Sequence, residues 1–398
     1  MRILVVNYEF PPVGGGGGVA ARQLARRWAR ANHVDYLTSR VGPQPGRETV
    51  DGINVHRVPV LGRKSMDVAP IGSMLCYPAT GLVRALELLA RGRYDVVNTH
   101  FAVPSGPLGV VVAALSRAPN IVSVHGGDIY DPSKRLSPHR IRPLRLAVRG
   151  VLLAATAIVA QSRNTADNTL NYYGDDLKGM LRIIPLPFDS PEGMPEGPGN
   201  PEARAELGLD RGARYLISVG RMVKRKAYDR LILSLERLPA DVRLLIIGSG
   251  PLRGELTDLV AVRGLGERVR MPGFVDEWDK YRYLAAADLY VLSSEHEGFG
   301  IVLQEAMAVG LPIVATSHGG QTDILEDGVN ALLIGSNEPA VIAEVVGRLL
   351  ADGEMKGLRE AMSRANREKV VEFGSCDIAA RYLAVFREAM SETGRTCR

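Results

Sequence analysis

The stretch Pro185–Ala203, PLPFDSPEGMPEGPGNPEA, carries six prolines among 19 residues. Each proline removes a backbone donor and fixes its own φ, so this composition predicts a linker without regular structure over 185–203. Ahead of it, short β-branched runs alternate with helical patterns: ILVVNY at 3–8, HVDYLT at 33–38, INVHRV at 53–58, DVVNT at 95–99, NIVSVH at 120–125 and AIVAQS at 157–162. Behind it the alternation restarts with YLISVG at 215–220, RLLIIG at 243–248, RVRMPG at 268–273, LYVLSS at 289–294, PIVATS at 312–317 and ALLIGS at 331–336. Strands alternating with helices predict parallel sheets covered on both faces. The chain therefore reads as α/β, with two Rossmann-like doubly wound domains, 1–190 and 200–376. Ligands of such sheets bind beyond the carboxyl ends of the strands, so two of them facing each other would form a cleft. The tail, DIAARYLAVFREAM at 377–390, has a helical apolar stripe at Ile378, Tyr382, Val385 and Phe386.

At 398 residues the chain has room for two or more cores. Its 46% apolar and 23% charged residues exclude an extended disordered protein. The longest apolar stretch, near 151–160, is interrupted by Thr156 and falls far short of the roughly 20 residues of a membrane crossing. The opening MRILVVNYEFPP reads as a first strand and not as a signal peptide. Cys76, Cys376 and Cys397 have no metal-ligand spacing, which argues against a disulfide framework or zinc site and for a reducing cytoplasm. Charge is uneven: 23 Lys and Arg against 13 Asp and Glu over 1–190, but 26 against 31 over 191–398. The basic half suits an anionic partner, a phosphorylated substrate or a lipid surface.

Four constellations could carry chemistry. Gly14 to Gly18 follow the first strand and precede a helix, placing backbone amides and a positive helix end where a phosphate could sit. They are not the dinucleotide fingerprint, because Ala20 or Ala21 would have to serve as the third glycine. His125, followed by Gly126, Gly127 and Asp128, ends another strand, where an imidazole can donate to a sugar hydroxyl or phosphate oxygen. In VGRMVKRKAYD, Gly220 and Arg221 follow the first strand of the second half. Arg221 and Lys226 are the favoured pair for neutralising a diphosphate, ahead of Lys224 and Arg225.

The fourth, SSEHEGFGIVLQEAMA, is the most specific. Glu297 precedes Gly298, Phe299 and Gly300, and a helix then opens at Ile301 and Val302 with Glu305 further along. Two carboxylates flanking an amide-lined phosphate site could hold the sugar and the ribose of a nucleotide-sugar. Phe274, in the loop MPGFV, could pack a nucleobase. The segment 134–150, KRLSPHRIRPLRLAVRG, interleaves one Lys and five Arg with Leu136, Ile141, Leu144 and Leu146, as segments lying on anionic membranes do. It has no aromatic platform for nucleic acid.

The early glycines (Gly15, Gly16), the His125-Gly126 pair, the Arg221…Lys226 pattern and the E-x7-E pair Glu297 and Glu305, in this order, resemble the retaining GT-B-fold glycosyltransferases of the class four (group 1) family over the full length. The resemblance implies that Arg221 and Lys226 hold a donor diphosphate, that Glu297 contacts the transferred sugar, and that Glu305 binds ribose hydroxyls. It implies that the glycine loop, Gly15 to Gly17, closes over the sugar phosphate, that His125 lies beside the sugar, and that amides of Gly298 to Val302 meet sugar and phosphate oxygens. The final helix of 377–398 would cross back to the first domain. Two positions depart from the family pattern: Gly18 stands where an acidic or polar residue is common, and Ala227 replaces the usual glycine after the lysine.

The expected activity is transfer of a hexose from a UDP- or GDP-sugar to a hydroxyl acceptor with retention, in synthesis of a surface polysaccharide, glycolipid or other glycoconjugate. No Asp-x-Asp triplet occurs, and cations with helix-terminal amides can stabilise the leaving diphosphate, so neither metal nor cofactor is expected. The acceptor could be lipid-linked, with the protein at the inner face of the membrane through 134–150. Two rivals are a non-catalytic sugar-nucleotide-binding regulator and a dinucleotide-dependent oxidoreductase; Arg221, Lys226, Glu297 and Glu305 have no role in the second.

Overall fold

The computed structural model describes residues 1–63 and 69–394; Cys397 and the end of the expected tail lie outside them. The chain forms two compact units, Met1–Asp189 with Phe373–Arg398, and Ser190–Glu372.

In the first unit the strands are β1 (Arg2–Asn7), β2 (His33–Arg40), β3 (Arg47–Val50), β4 (Ile53–Pro59), β5 (Val96–His100), β6 (Asn120–Val124), β7 (Ala157–Ala160) and β8 (Leu181–Ile183). They lie side by side in the order β3-β4-β2-β1-β5-β6-β7-β8. All neighbours are parallel except β3, which pairs antiparallel with β4 and corrects the expectation of a purely parallel sheet. The reason is local. Asp51 and Gly52 both take positive φ, the two-residue turn that folds a strand back on itself. Alternate residues of β1 face opposite ways. Ile3 and Val5 pack with the helix Gly16–Ala29 and the C-terminal helix Ser375–Glu392, whereas Leu4 and Val6 pack with the helices Ile71–Ala90 and Ser105–Ser116. The C-terminal helix is fastened to this unit by its apolar stripe: Trp28 donates to the Ala379 carbonyl at 3.2 Å, and its ring lies 5.1 Å from that of Phe386. Asp189 adds a polar tie, accepting from Arg26 and from Ser375 Oγ at 2.7 Å each.

The second unit holds β9 (Arg214–Val219), β10 (Val242–Ile247), β11 (Val269–Gly273), β12 (Leu289–Leu292), β13 (Ile313–Thr316) and β14 (Ala331–Ile334). Their order, β11-β10-β9-β12-β13-β14, is the 3-2-1-4-5-6 arrangement of a Rossmann sheet. The order reverses between β9 and β12. Setting β3 aside, β4-β2-β1-β5-β6-β7 repeats this arrangement in the first unit, with its reversal between β1 and β5. Such a reversal leaves a crevice beyond the strand ends.

The segment 185–203 is not irregular throughout. Pro201 opens a short helix, Pro201–Glu206, and the Asn200 side chain caps it by accepting from the amides of Glu202 and Ala203. Proline at the first helical position loses no helical hydrogen bond, which is why its presence did not exclude the helix. Among the described residues, no helix is long and apolar enough to cross a membrane.

Candidate active site

Beyond β9 and β12, at the reversal of the second sheet, the structure gathers Gly220, Arg225, Lys226 and Glu297. The chain leaves β9 at Gly220 and turns through Lys224–Lys226, which drives the Lys226 side chain inward; it is 6% exposed. A Cβ on Gly220 would lie 3.2 Å from Lys226 Nζ and 3.1 Å from the Tyr228 hydroxyl, so glycine makes the room the ammonium occupies. From β12, Ser293 Oγ donates to the Lys226 carbonyl at 2.8 Å and binds the two loops together.

Glu297 is 6% exposed, its Oε1 2.6 Å from Lys226 Nζ and its Oε2 3.1 Å from the Arg225 guanidinium. Ser294 Oγ donates to Oε1 at 2.8 Å. Burial alone would raise this carboxyl; the Lys226 and Arg225 charges, with the Lys226 and Ser294 hydrogen bonds, outweigh it and hold the pKa at about 2. Burial also pushes the Lys226 ammonium down, against the pull of Glu297. One carboxylate between two cations leaves the cluster net positive and Glu297 ionised at neutral pH. The loop after β13 braces it from below, the Gly320 amide donating to the Glu297 carbonyl at 2.7 Å.

The other expected residues fall around this clamp in different ways. Gly298 is half-buried and Phe299 buried at 2%, so Phe299 anchors the loop in the core. Gly300, at φ +102°, caps the helix Ile301–Val309; the amides of Ile301 and Val302 lie in its first turn, ahead of the intrahelical ladder. Glu305, about one turn on, meets Lys280 Nζ at 2.6 Å. Arg221 is exposed and makes no ion pair among the described residues; Arg225 is the arginine that meets Glu297. Phe274 is 78% exposed.

In the first unit the corresponding reversal holds a different set. The helix begins inside the glycine run, with Gly15 as its cap and Gly16 as its first residue, and the Glu9 carboxylate accepts the Gly15 amide at 2.9 Å. A Cβ on Gly17 would meet the Phe101 ring at 2.5 Å and His125 Nδ1 at 3.3 Å, so only glycine lets this helix approach the histidine so closely. His125 Nε2 lies 3.0 Å from His100 Nδ1, and His100 Nε2 lies 2.8 Å from Asn98 Oδ1. Asn98 Nδ2 donates to the Ile121 carbonyl at 3.0 Å, which fixes Oδ1 as the acceptor.

That chain of contacts sets the protons. His100 must carry its hydrogen on Nε2 and present a bare Nδ1, so His125 must donate from Nε2 and is left bare at Nδ1. Burial pushes His125 down to about 4 and His100 well below the usual imidazole range, so both rings are neutral at neutral pH. Among the described residues, Nδ1 of His125 is buried with no hydrogen-bond partner. In this tautomer the nitrogen beside Gly17 is an acceptor and not a donor. Asp128 accepts from the amides of Ala102 at 2.6 Å and His125 at 2.9 Å; burial, only partly offset by these bonds, pushes its pKa up to about 6. Glu9, Asn98, His100 and Lys280 were not anticipated. His100 and Asn98 stand in one strand at alternate positions, but only sheet register shows that they reach His125 from β6.

Two families match consecutive parts of the chain: Glycosyl transferases group 1 over residues 199–369, and Glycosyl transferase 4-like domain over residues 15–179. A D-inositol 3-phosphate glycosyltransferase of Xylanimonas cellulosilytica is 30% identical over 406 aligned residues, covering 96% of this chain and 94% of its own. Among solved structures, the sucrose-phosphate synthase of Thermosynechococcus elongatus matches with a TM-score of 0.85 at 22% identity, over 98% of this chain and 99% of its own. Anabaena HepE, solved with UDP and glucose, matches with a TM-score of 0.77 at 20% identity, over 98% and 100%. The fold is GT-B, and with the two matched families and the full-length relative the chain belongs to the group 1 glycosyltransferases, enzymes that transfer a sugar.

Proposed function

We propose that this glycosyltransferase takes its sugar from a nucleoside-diphosphate sugar bound at the carboxyl end of the second sheet and passes it, with retention and without a metal ion, to a hydroxyl acceptor. The observation that carries the reading is the buried Glu297 carboxylate held ionised between Lys226 and Arg225 at the reversal of strand order. An ionised carboxylate accepts hydrogen bonds from sugar hydroxyls and cannot act as the acid that protonates a leaving group. The net positive charge beside it, the open Arg221 and the first-turn amides of Ile301 and Val302 suit a diphosphate whose charge grows as it departs. In this reading the bond from the anomeric carbon to phosphate breaks, the acceptor oxygen bonds to the same face, and the acceptor proton passes to the departing phosphate. His125 accepts a hydrogen bond from a substrate hydroxyl at its Nδ1, with no proton transferred. HepE is named with UDP and glucose, and the Xylanimonas relative for an inositol phosphate; both are consistent with a nucleotide-sugar donor and an anionic acceptor class for this chain.

The test is acceptor-free hydrolysis of UDP-, GDP- and ADP-sugars. At least one donor should release its nucleoside diphosphate slowly, and Arg221→Ala should slow that release about ten- to hundred-fold, the worth of a hydrogen bond to a charged group, at an unchanged melting temperature. Release by Arg221→Ala at the wild-type rate would remove Arg221 from the diphosphate site.

A further inference from the structure

On the Leu4 and Val6 side of the first sheet lie three helices: Ile71–Ala90, Ser105–Ser116 and Arg142–Leu153. Glycines let them lie flank to flank. Gly81 of the first is filled from the side by Leu108 of the second, and a Cβ on Gly106 of the second would come 2.6 Å from Val151 Cγ1 of the third. Their inner faces, with Tyr77, Leu108 and Leu152, form core. The outer faces of the first two are apolar as well, and that of the third mixes apolar residues with arginines. On the first helix Ile71, Leu75, Val83 and Leu86 recur at helical spacing and are 49–75% exposed. Val111 and Leu115 continue the surface on the second helix, and Leu146 and Leu153 on the third, all 42–58% exposed. A helix apolar all round is ordinarily buried on every side, and a joined surface of this kind marks a binding face.

Charge identifies what would cover it. The third helix and the loop before it carry Arg135, Arg142 and Arg145, exposed and without an ion pair among the described residues. The three helices contain a single acidic residue, Glu87, already paired with Arg47 and Arg84. A second copy would bring the same unpaired arginines and no free acid to meet them. We propose that this three-helix face docks on an anionic lipid bilayer, its leucines and valines entering the headgroup boundary and its arginines meeting lipid phosphates. The segment 134–150 singled out in the sequence supplies the arginines, but most of the apolar contact comes from Ile71–Ala90 and Ser105–Ser116, which no charge pattern marks.

The experiment is sedimentation of the full chain with phosphatidylcholine vesicles, with and without phosphatidylglycerol, at low salt. The wild type should sediment only with the anionic vesicles. Arg142→Glu with Arg145→Glu, and separately Leu75→Asp with Val83→Asp, should each cut the bound fraction at least about ten-fold, since one basic residue near such a surface is worth about five-fold. No sedimentation of the wild type, or undiminished binding by either variant, would overturn the proposal. So would a dimer in sedimentation velocity that Leu75→Asp with Val83→Asp dissociates, because it would assign the face to a second copy. All these residues lie outside the Glu297 clamp, so donor hydrolysis in both variants should match the wild type, and failure of vesicle binding leaves the transferase reading standing.

Discussion

The two sheets reverse strand order in the same way, yet what they place at the reversal differs in kind. Beyond β9 and β12 the residues are ionised: Glu297 between Lys226 and Arg225. Beyond β1, β5 and β6 no cation is paired in this way among the described residues: two buried imidazoles wired through Asn98 are neutral, and the carboxyls nearby are Glu9 and Asp128, the latter with a pKa that burial has raised to about 6. The strand order decides where a ligand can approach, and the side chains decide whether it is met by charge or by hydrogen-bond acceptors. The ionised site suits a diphosphate and the neutral one an uncharged hydroxyl.

The largest effect that would break this contrast is at Lys226. Lys226→Met leaves Glu297 buried with a single, partly exposed cation, and removing one partner of a buried pair costs about 3–5 kcal/mol. Donor hydrolysis should fall with it, and adding Glu297→Gln should recover most of the melting temperature but not the activity. A Lys226→Met protein that melts with the wild type would show that the clamp is not the ionised site described. At the neutral site, His125→Phe removes an acceptor without altering any charge. We expect kcat/KM to fall about three- to ten-fold, the value of a neutral hydrogen bond, with no new pH-dependent limb between pH 5 and 8. A bell-shaped profile that loses one limb in His125→Phe would mean the histidine titrates there, against the burial seen.

The smallest effect sharpens the comparison through stability. Because His100 and His125 bind protons less readily folded than unfolded, they cost stability as pH falls from about 6.5 towards 4. Asp128, its pKa raised from 3.8 to about 6, binds its proton more readily when folded and returns stability over nearly the same window. Asp128→Asn should therefore steepen the loss of the urea midpoint between pH 6 and 4. Glu297, held at about 2, acts lower: its contribution is complete above pH 4.5 and is lost as pH falls through 2. An Asp128→Asn profile parallel to the wild type would refute the raised pKa of Asp128.

Much of the fold was legible because buried parallel strands are written as compact β-branched runs. β3, RETV, and β8, LRI, escaped because each is short and has no fully buried residue at its sheet edge, so neither carries such a run. In the site, Lys226 and Glu297 were legible from spacing after strand ends. The choice between Arg221 and Arg225 was not, because a run of basic residues does not say which side chain turns inward; the Lys224–Lys226 turn decides that. The wiring of His125 was hidden for a related reason: Asn98 and His100 lie on β5, and only the pairing of His100 with Ser123 brings that strand beside His125.

The central claim is that Glu297 works as a buried anion. Glu297→Gln keeps its shape and removes its charge, and single-turnover release of nucleoside diphosphate from the preferred donor measures the consequence. The account predicts a loss of about a hundred-fold or more, on the scale of removing one preorganised polar group from an enzyme site, in a protein that still melts cooperatively. Release at the wild-type rate would contradict it.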